Sequence, residues 1–140
     1  AILAVAHEVL LGELLFREGD TAQGLAHLES AVHLYDGGED PETGLVYDEP
    51  WGWMMPTRHT LGALAVEAGH TDLAKRTYLE DLGLSTPPVL HPFYPDNVWS
   101  LRGLADLEGD KCDEGLRDKL RKAEAAADTP IHASCLCKRQ

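Results

Sequence analysis

The residues of this 140-residue chain with the most specific chemical potential are Cys135 and Cys137, one residue apart near the C-terminus. Two thiolates at that spacing suit a soft ion such as Cu(I) or Zn(II). A zinc site takes about four ligands. The pair would therefore need His132, with His7 or His59 as further donors if the tail folds back. Two buried thiols or a local disulfide fit the same spacing. Cys112 makes the cysteine count odd, which does not suit a secreted disulfide framework. Free thiols in a reducing compartment, the cytoplasm or an organelle interior, are the expectation.

The other candidate groups are more scattered. His7, His27, His33, His59, His70, His91 and His132 form no H-E-x-x-H pattern, and the chain has neither a P-loop nor a G-x-S-x-G elbow. Carboxylates are abundant, and no pair of them is singled out as acid and base. The sequence gives no catalytic residue and no resident cofactor beyond the Zn or Cu(I) alternative at the tail.

Composition narrows the classes of partner. Twelve Lys+Arg stand against 24 Asp+Glu, a net charge of −12. A nucleic-acid binder normally shows a basic face, so a protein partner with a basic surface is the better match. Apolar residues make up 44%, too many for a disordered chain and enough for one domain with a core. The opening AILAVA is shorter than the ~20 apolar residues a membrane span requires, and it lacks the basic region of a signal peptide. The chain opens on Ala1 rather than Met, which reads as processing or as part of a longer chain.

These groups must be positioned by helices. Apolar spacing predicts helices over 2–17, 21–35, 56–68, 72–83, one opened by Asn97, and 115–127. Leu3, His7, Leu11 and Leu14 are expected to form the buried stripe of the first helix, widened by Val5, Leu10 and Leu15. Thr21 and Thr71 are expected N-caps. Between them lie DGGEDPETG, the aromatic stretch LVYDEPWGWMMP and the Pro-rich STPPVLHPFYPD, which read as loops.

The helices repeat. Leu11-Gly12 precedes Gly19-Asp20 as Leu61-Gly62 precedes Gly69-His70, with the glycines of each pair seven positions apart. Trp99 and Gly103 are four apart. Such spacing resembles the tetratricopeptide repeat, whose unit is about 34 residues. In the first unit Leu11, Gly12, Leu15, Gly24, Leu28, Ala31 and Asp36 match its slots. In the second, Leu61, Gly62, Ala65, Ala74, Tyr78, Asp81 and Thr86 do. Asp81 stands in a slot for a small residue, and Arg102 precedes Gly103 where Leu is usual. Gly12, Gly62 and Gly103 are 50 and 41 residues apart, so both connections are enlarged.

A narrower resemblance spans most of the chain. DEPWGWMMPTRHTLGALAVEAG, YLEDL, HPFYPDNVWSLRGL and ADTPIHASCLC, in that order, are similar to the C-terminal part of a family of tetratricopeptide-domain proteins. Its members carry a Y-x-E-P loop with a following Trp and end near Ser-Cys-x-Cys. The resemblance implies a fold and further repeats upstream, and supplies no activity.

The fold class expected is all-α: a short, right-handed, tetratricopeptide-like solenoid of about three helical hairpins with two long ordered insertions. The segments are 1–38, the insertion 39–55, 56–88, the linker 89–96, 97–127 and the tail 128–140. The resemblance places Glu13, Phe16 and Arg17, then His59, Ala63 and Glu67, then Asn97, Ser100 and Leu104 on a partner-binding groove. Trp51 and Trp53 are candidate partner anchors, or they cap the first hairpin. Asp48 and Glu49 are expected to cap or pair with Arg58 and His59. The groove binds a partner segment or is filled by the chain's own loops. The function expected is a protein-interaction or assembly module, an accessory subunit or fragment of a larger complex. The alternative is a metal- or thiol-dependent protein using the Cys-x-Cys tail.

Overall fold

The structure, a computed structural model, describes residues 2–37, 45, 53, 55–85 and 94–138. They form six helices: α1 Ile2–Glu18, α2 Thr21–Tyr35, α3 Thr57–Glu67, α4 Thr71–Asp81, α5 Val98–Glu108 and α6 Glu114–Ala126. A single 3-10 turn, Gly109–Lys111, joins the last two. The chain is all-helical over these residues, and none of its helices is long and apolar enough to cross a membrane.

Each helix packs on the next. In addition α1 packs on α3 and α3 on α5, whereas the even-numbered helices are not packed on one another among the described residues and meet through the Arg76–Glu29 ion pair at 3.2 Å between α4 and α2. The odd helices therefore make one layer and the even helices a second. Between the layers lies a core that includes Phe16, Leu28, Leu64, Tyr78, Leu101 and Leu120.

Small residues set the spacing of the layers. A Cβ on Gly12 would lie 2.9 Å from the Gly24 carbonyl oxygen, and one on Gly24 would lie 2.8 Å from Phe16 N, so α1 and α2 approach through this pair. Gly19 and Gly69, at φ of 99° and 80°, make the turns between paired helices in the left-handed region that favours glycine.

Two local expectations are corrected. Asp20, not Thr21, caps α2: its carboxylate accepts from Gln23 N at 3.2 Å. Helix α4 starts at Thr71 with His70 in the cap position and no side-chain cap bond. Asn97 caps α5 by accepting from Trp99 N and Ser100 N.

The buried stripe of α1 is also different. Val5, Gly12 and Phe16 face inward. Leu3 and Leu14 of the expected stripe are 85% and 50% exposed, as is Leu10 at 71%. The helix has apolar residues on two faces, and the one carrying the small Gly12 is the one α2 can approach closely.

Candidate functional site

The predicted site residues fall into two places. The first is a buried polar cluster where the C-terminal ends of α2 and α4 meet the N-terminal ends of α3 and α5. Asp81, on the last turn of α4, is 1% exposed. Its Oδ2 accepts from Ser100 Oγ at 2.6 Å and from Asn97 Nδ2 at 3.2 Å. Asn97 Oδ1 is committed to the α5 cap, which turns its amide group toward the cluster. The same Nδ2 lies 2.7 Å from His59 Nε2, and Nε2 lies 3.2 Å from Asp81 Oδ2. The Asn97 NH2 group thus lies against both the imidazole and the carboxylate. Ser100, fully buried, donates to the carboxylate and not to the imidazole. The arrangement ties three helix ends together.

Arg58 continues the cluster. It is 4% exposed and forms a bidentate pair with Asp36 at 2.8 and 2.7 Å, with Glu80 3.5 Å away. Burial works against its charge, but the Asp36 carboxylate outweighs this and raises the guanidinium pKa. Asp48 and Glu49, the expected partners of Arg58 and His59, lie outside the described residues.

Both insertions are anchored at this corner. Leu45 N donates to the Tyr35 carbonyl at 2.9 Å, and Tyr94 N donates to the Asp81 carbonyl at 2.6 Å. The Tyr35 and Tyr94 hydroxyls bond to each other at 3.0 Å. Trp53 is half-buried, and Trp51 lies outside the described residues.

The second place is the segment after α6, which lies on α1, α3, α4 and α5. Ser134 Oγ bonds to the Tyr78 hydroxyl at 2.6 Å. Thr60 Oγ1 lies 3.8 Å from Cys135 Sγ. Arg17 donates to the Cys137 carbonyl at 2.5 Å and pairs with Glu67. Of the residues expected to line a partner groove, Arg17 and Glu67 are therefore engaged within the chain. Phe16, Ala63 and Leu104 are core residues. His59, Asn97 and Ser100 belong to the polar cluster. Glu13 is half-buried, and burial raises its carboxyl pKa against the pull of Arg17.

Cys135 and Cys137 are bonded to each other as a disulfide, which corrects the expectation of free thiols; Cys112 is free and buried. As a disulfide, neither sulfur is a thiolate ligand. His132 is exposed, His7 pairs with Glu8, and His59 faces Asp81. No group of three or more His, Cys, Asp or Glu side chains able to hold a metal occurs among the described residues.

Sequence reasoning missed Asp81 as the hub of the cluster. Its signal was present: a carboxylate in a slot that takes a small residue. The seat of the tail had no local signal. No protein-family model, no curated protein and no solved structure matches the chain.

Proposed function

We propose that this chain is a tetratricopeptide-like protein-interaction module, a short right-handed helical solenoid that works inside a larger assembly and attaches through the outer face of α1. One observation carries the reading. When Gly12, Gly62 and Gly103 are set equivalent, Leu10 of α1 corresponds to Thr60 of α3 and Leu101 of α5. Leu10 is 71% exposed, while Thr60 and Leu101 are 3% and 0% exposed. Leu14 corresponds to Leu64, at 50% against 0%.

Helix α2 packs on α3, and α4 packs on α5. The equivalent neighbour of α1 is another helical hairpin, and that is the partner the face fits. Repeat units bury their apolar faces only against neighbours. The glycines at helix crossings support the repeat reading, as does the alternation of packing between odd and even helices. The net charge of −12 favours a partner with a basic surface.

The test compares the chain with a Leu10→Gln/Leu14→Gln double variant. Hydrophobic-dye binding and light scattering report the exposed face, and thermal unfolding reports the fold. The expected result is dye binding and self-association in the native chain, both lost in the variant at unchanged Tm. A monomer that binds no dye and is indifferent to the substitutions overturns the reading.

A further inference from the structure

The segment after α6 has three anchors. Ser134 is held by Tyr78, Cys135 is sunk beside Thr60, and the Cys137 carbonyl is held by Arg17. The disulfide closes the short loop between the second and third. Leu136, at the tip of that loop, is 82% exposed. Side-chain packing at the tip therefore does little to hold the loop closed; the covalent bond does so together with the Lys138 N–H donating to the Cys135 carbonyl at 3.3 Å.

The two sulfurs are not equivalent. Cys135 is 2% exposed, and Cys137 is half-buried. Cys135 Sγ accepts from the Cys137 backbone N–H at 3.1 Å and has the Thr60 hydroxyl 3.8 Å away. Donors at a sulfur favour its thiolate over its thiol. Cys137 is thus the more accessible of the two to an incoming thiolate, and attack on its sulfur expels the one that the Cys137 N–H and the Thr60 hydroxyl contact.

We propose that Cys135–Cys137 is a reversible thiol-exchange site for a low-molecular-weight thiol of the glutathione type, and that its oxidation state controls how tightly the C-terminal segment is clamped to α1 and α3. In the first step the external thiolate bonds to Cys137 Sγ as the Cys135–Cys137 bond breaks, and the electron pair leaves on Cys135 Sγ. In the second, another external thiolate attacks the external sulfur of the mixed disulfide, and Cys137 leaves as a thiolate. The two protons given up by the external thiols are matched by two taken up by the cysteines. Two external thiols are oxidised to one disulfide, and the protein disulfide is reduced to two thiols. The freed loop loosens the Arg17–Cys137 bond.

The test equilibrates the full chain across a series of reduced-to-oxidised glutathione ratios. Intact mass after alkylation in denaturant counts thiols, and amide hydrogen exchange follows residues 131–138. The expected result is one two-electron transition, from Cys112 as the single free thiol to all three cysteines free. Exchange of the 135–138 amides is expected to accelerate on the order of tenfold on reduction, the loop-closure entropy of so short a ring, while α1–α5 stay protected. A Cys135→Ser/Cys137→Ser variant should exchange fast at every ratio. A pair that stays reduced in oxidised glutathione overturns the proposal. So does a segment that exchanges equally in both states. If the variant does not fold, the glutathione series on the unaltered chain decides alone.

Discussion

The Tyr78 hydroxyl lies 2.6 Å from Ser134 Oγ, and that bond joins the middle of α4 to the segment after α6. Both residues are buried, Tyr78 at 0% and Ser134 at 4% exposure. The ring of Tyr78 fills the space that Gly62 of α3 and Gly103 of α5 leave open. A side chain of one even-numbered helix thus bridges two odd ones and meets the tail. Removing either partner strands a buried hydroxyl or leaves a void beside it. Tyr78→Phe and Ser134→Ala are each expected to lower unfolding free energy by about 1–3 kcal/mol. The double variant should lose less than the sum, because the second change removes the group the first left unpaired. Urea unfolding of the four proteins measures the coupling.

Burial raises the Tyr78 hydroxyl to about 12, against a smaller downward pull from Ser134. Burial, with Tyr94 beside it, also raises Tyr35. In the unfolded chain both titrate near their ordinary value of about 10. Above that pH the unfolded state gives up its protons first, so its free energy falls while that of the folded state does not. The stability these tyrosines contribute is complete below pH ~10 and is lost as pH rises through the folded values. Denaturation midpoints measured from pH 8 to 12 should fall steeply above 10. The fall should be shallower in Tyr78→Phe. An equal slope in both proteins would show that Tyr78 is not the group responsible.

Asp81 is the acceptor for Ser100 and Asn97 and lies against His59. Asp81→Ala leaves the buried His59 and Ser100 and the half-buried Asn97 around an empty space. A loss of about 1–3 kcal/mol for each buried group left without its partner is expected. Asp81→Asn keeps the volume and one acceptor oxygen for Ser100, so it should cost about half as much or less. Thermal and urea unfolding rank the two variants. Equal, small losses would mean that the cluster is dispensable for the fold.

How much of this was legible follows from where each signal resides. Helix positions rest on local apolar spacing and on turn glycines, and all six helices lie within a few residues of their predicted spans. Caps depend on which of two adjacent polar residues lies just outside the helical conformation. Asp20 won over Thr21 because its carboxylate reaches Gln23 N. The wrong stripe on α1 arose because Leu residues outnumber the small ones. Packing instead selected the face with Gly12, where α2 approaches most closely. Asp81 was visible only as a departure from pattern, since its partners come from three helices. The contacts of Cys135 with Thr60 and of Cys137 with Arg17 join residues 75 and 120 positions apart, beyond any periodic signal.

Gly62 and Gly103 supply the last prediction. In an exposed helix interior, Gly→Ala stabilises by about 1 kcal/mol because Ala restricts the unfolded chain. Here the sign should reverse. A Cβ on Gly62 would come within 2.7 Å of Tyr78 Cζ, and one on Gly103 within 2.7 Å of both Tyr78 Cε1 and Ser134 Cβ. The ring is fully buried and cannot swing away. Gly62→Ala and Gly103→Ala should each lower stability by about 1–3 kcal/mol, the usual range for overpacking a core. In a Tyr78→Leu background the ring that crowds Gly62 is gone, so the added methyl of Gly62→Ala should cost little or become favourable, whereas Gly103→Ala should keep part of its cost from Ser134 Cβ. Urea unfolding of the Gly62→Ala/Tyr78→Leu cycle reads this directly. A Gly62→Ala penalty of the same size in both backgrounds would mean that the close contact with Tyr78 is not what requires glycine there.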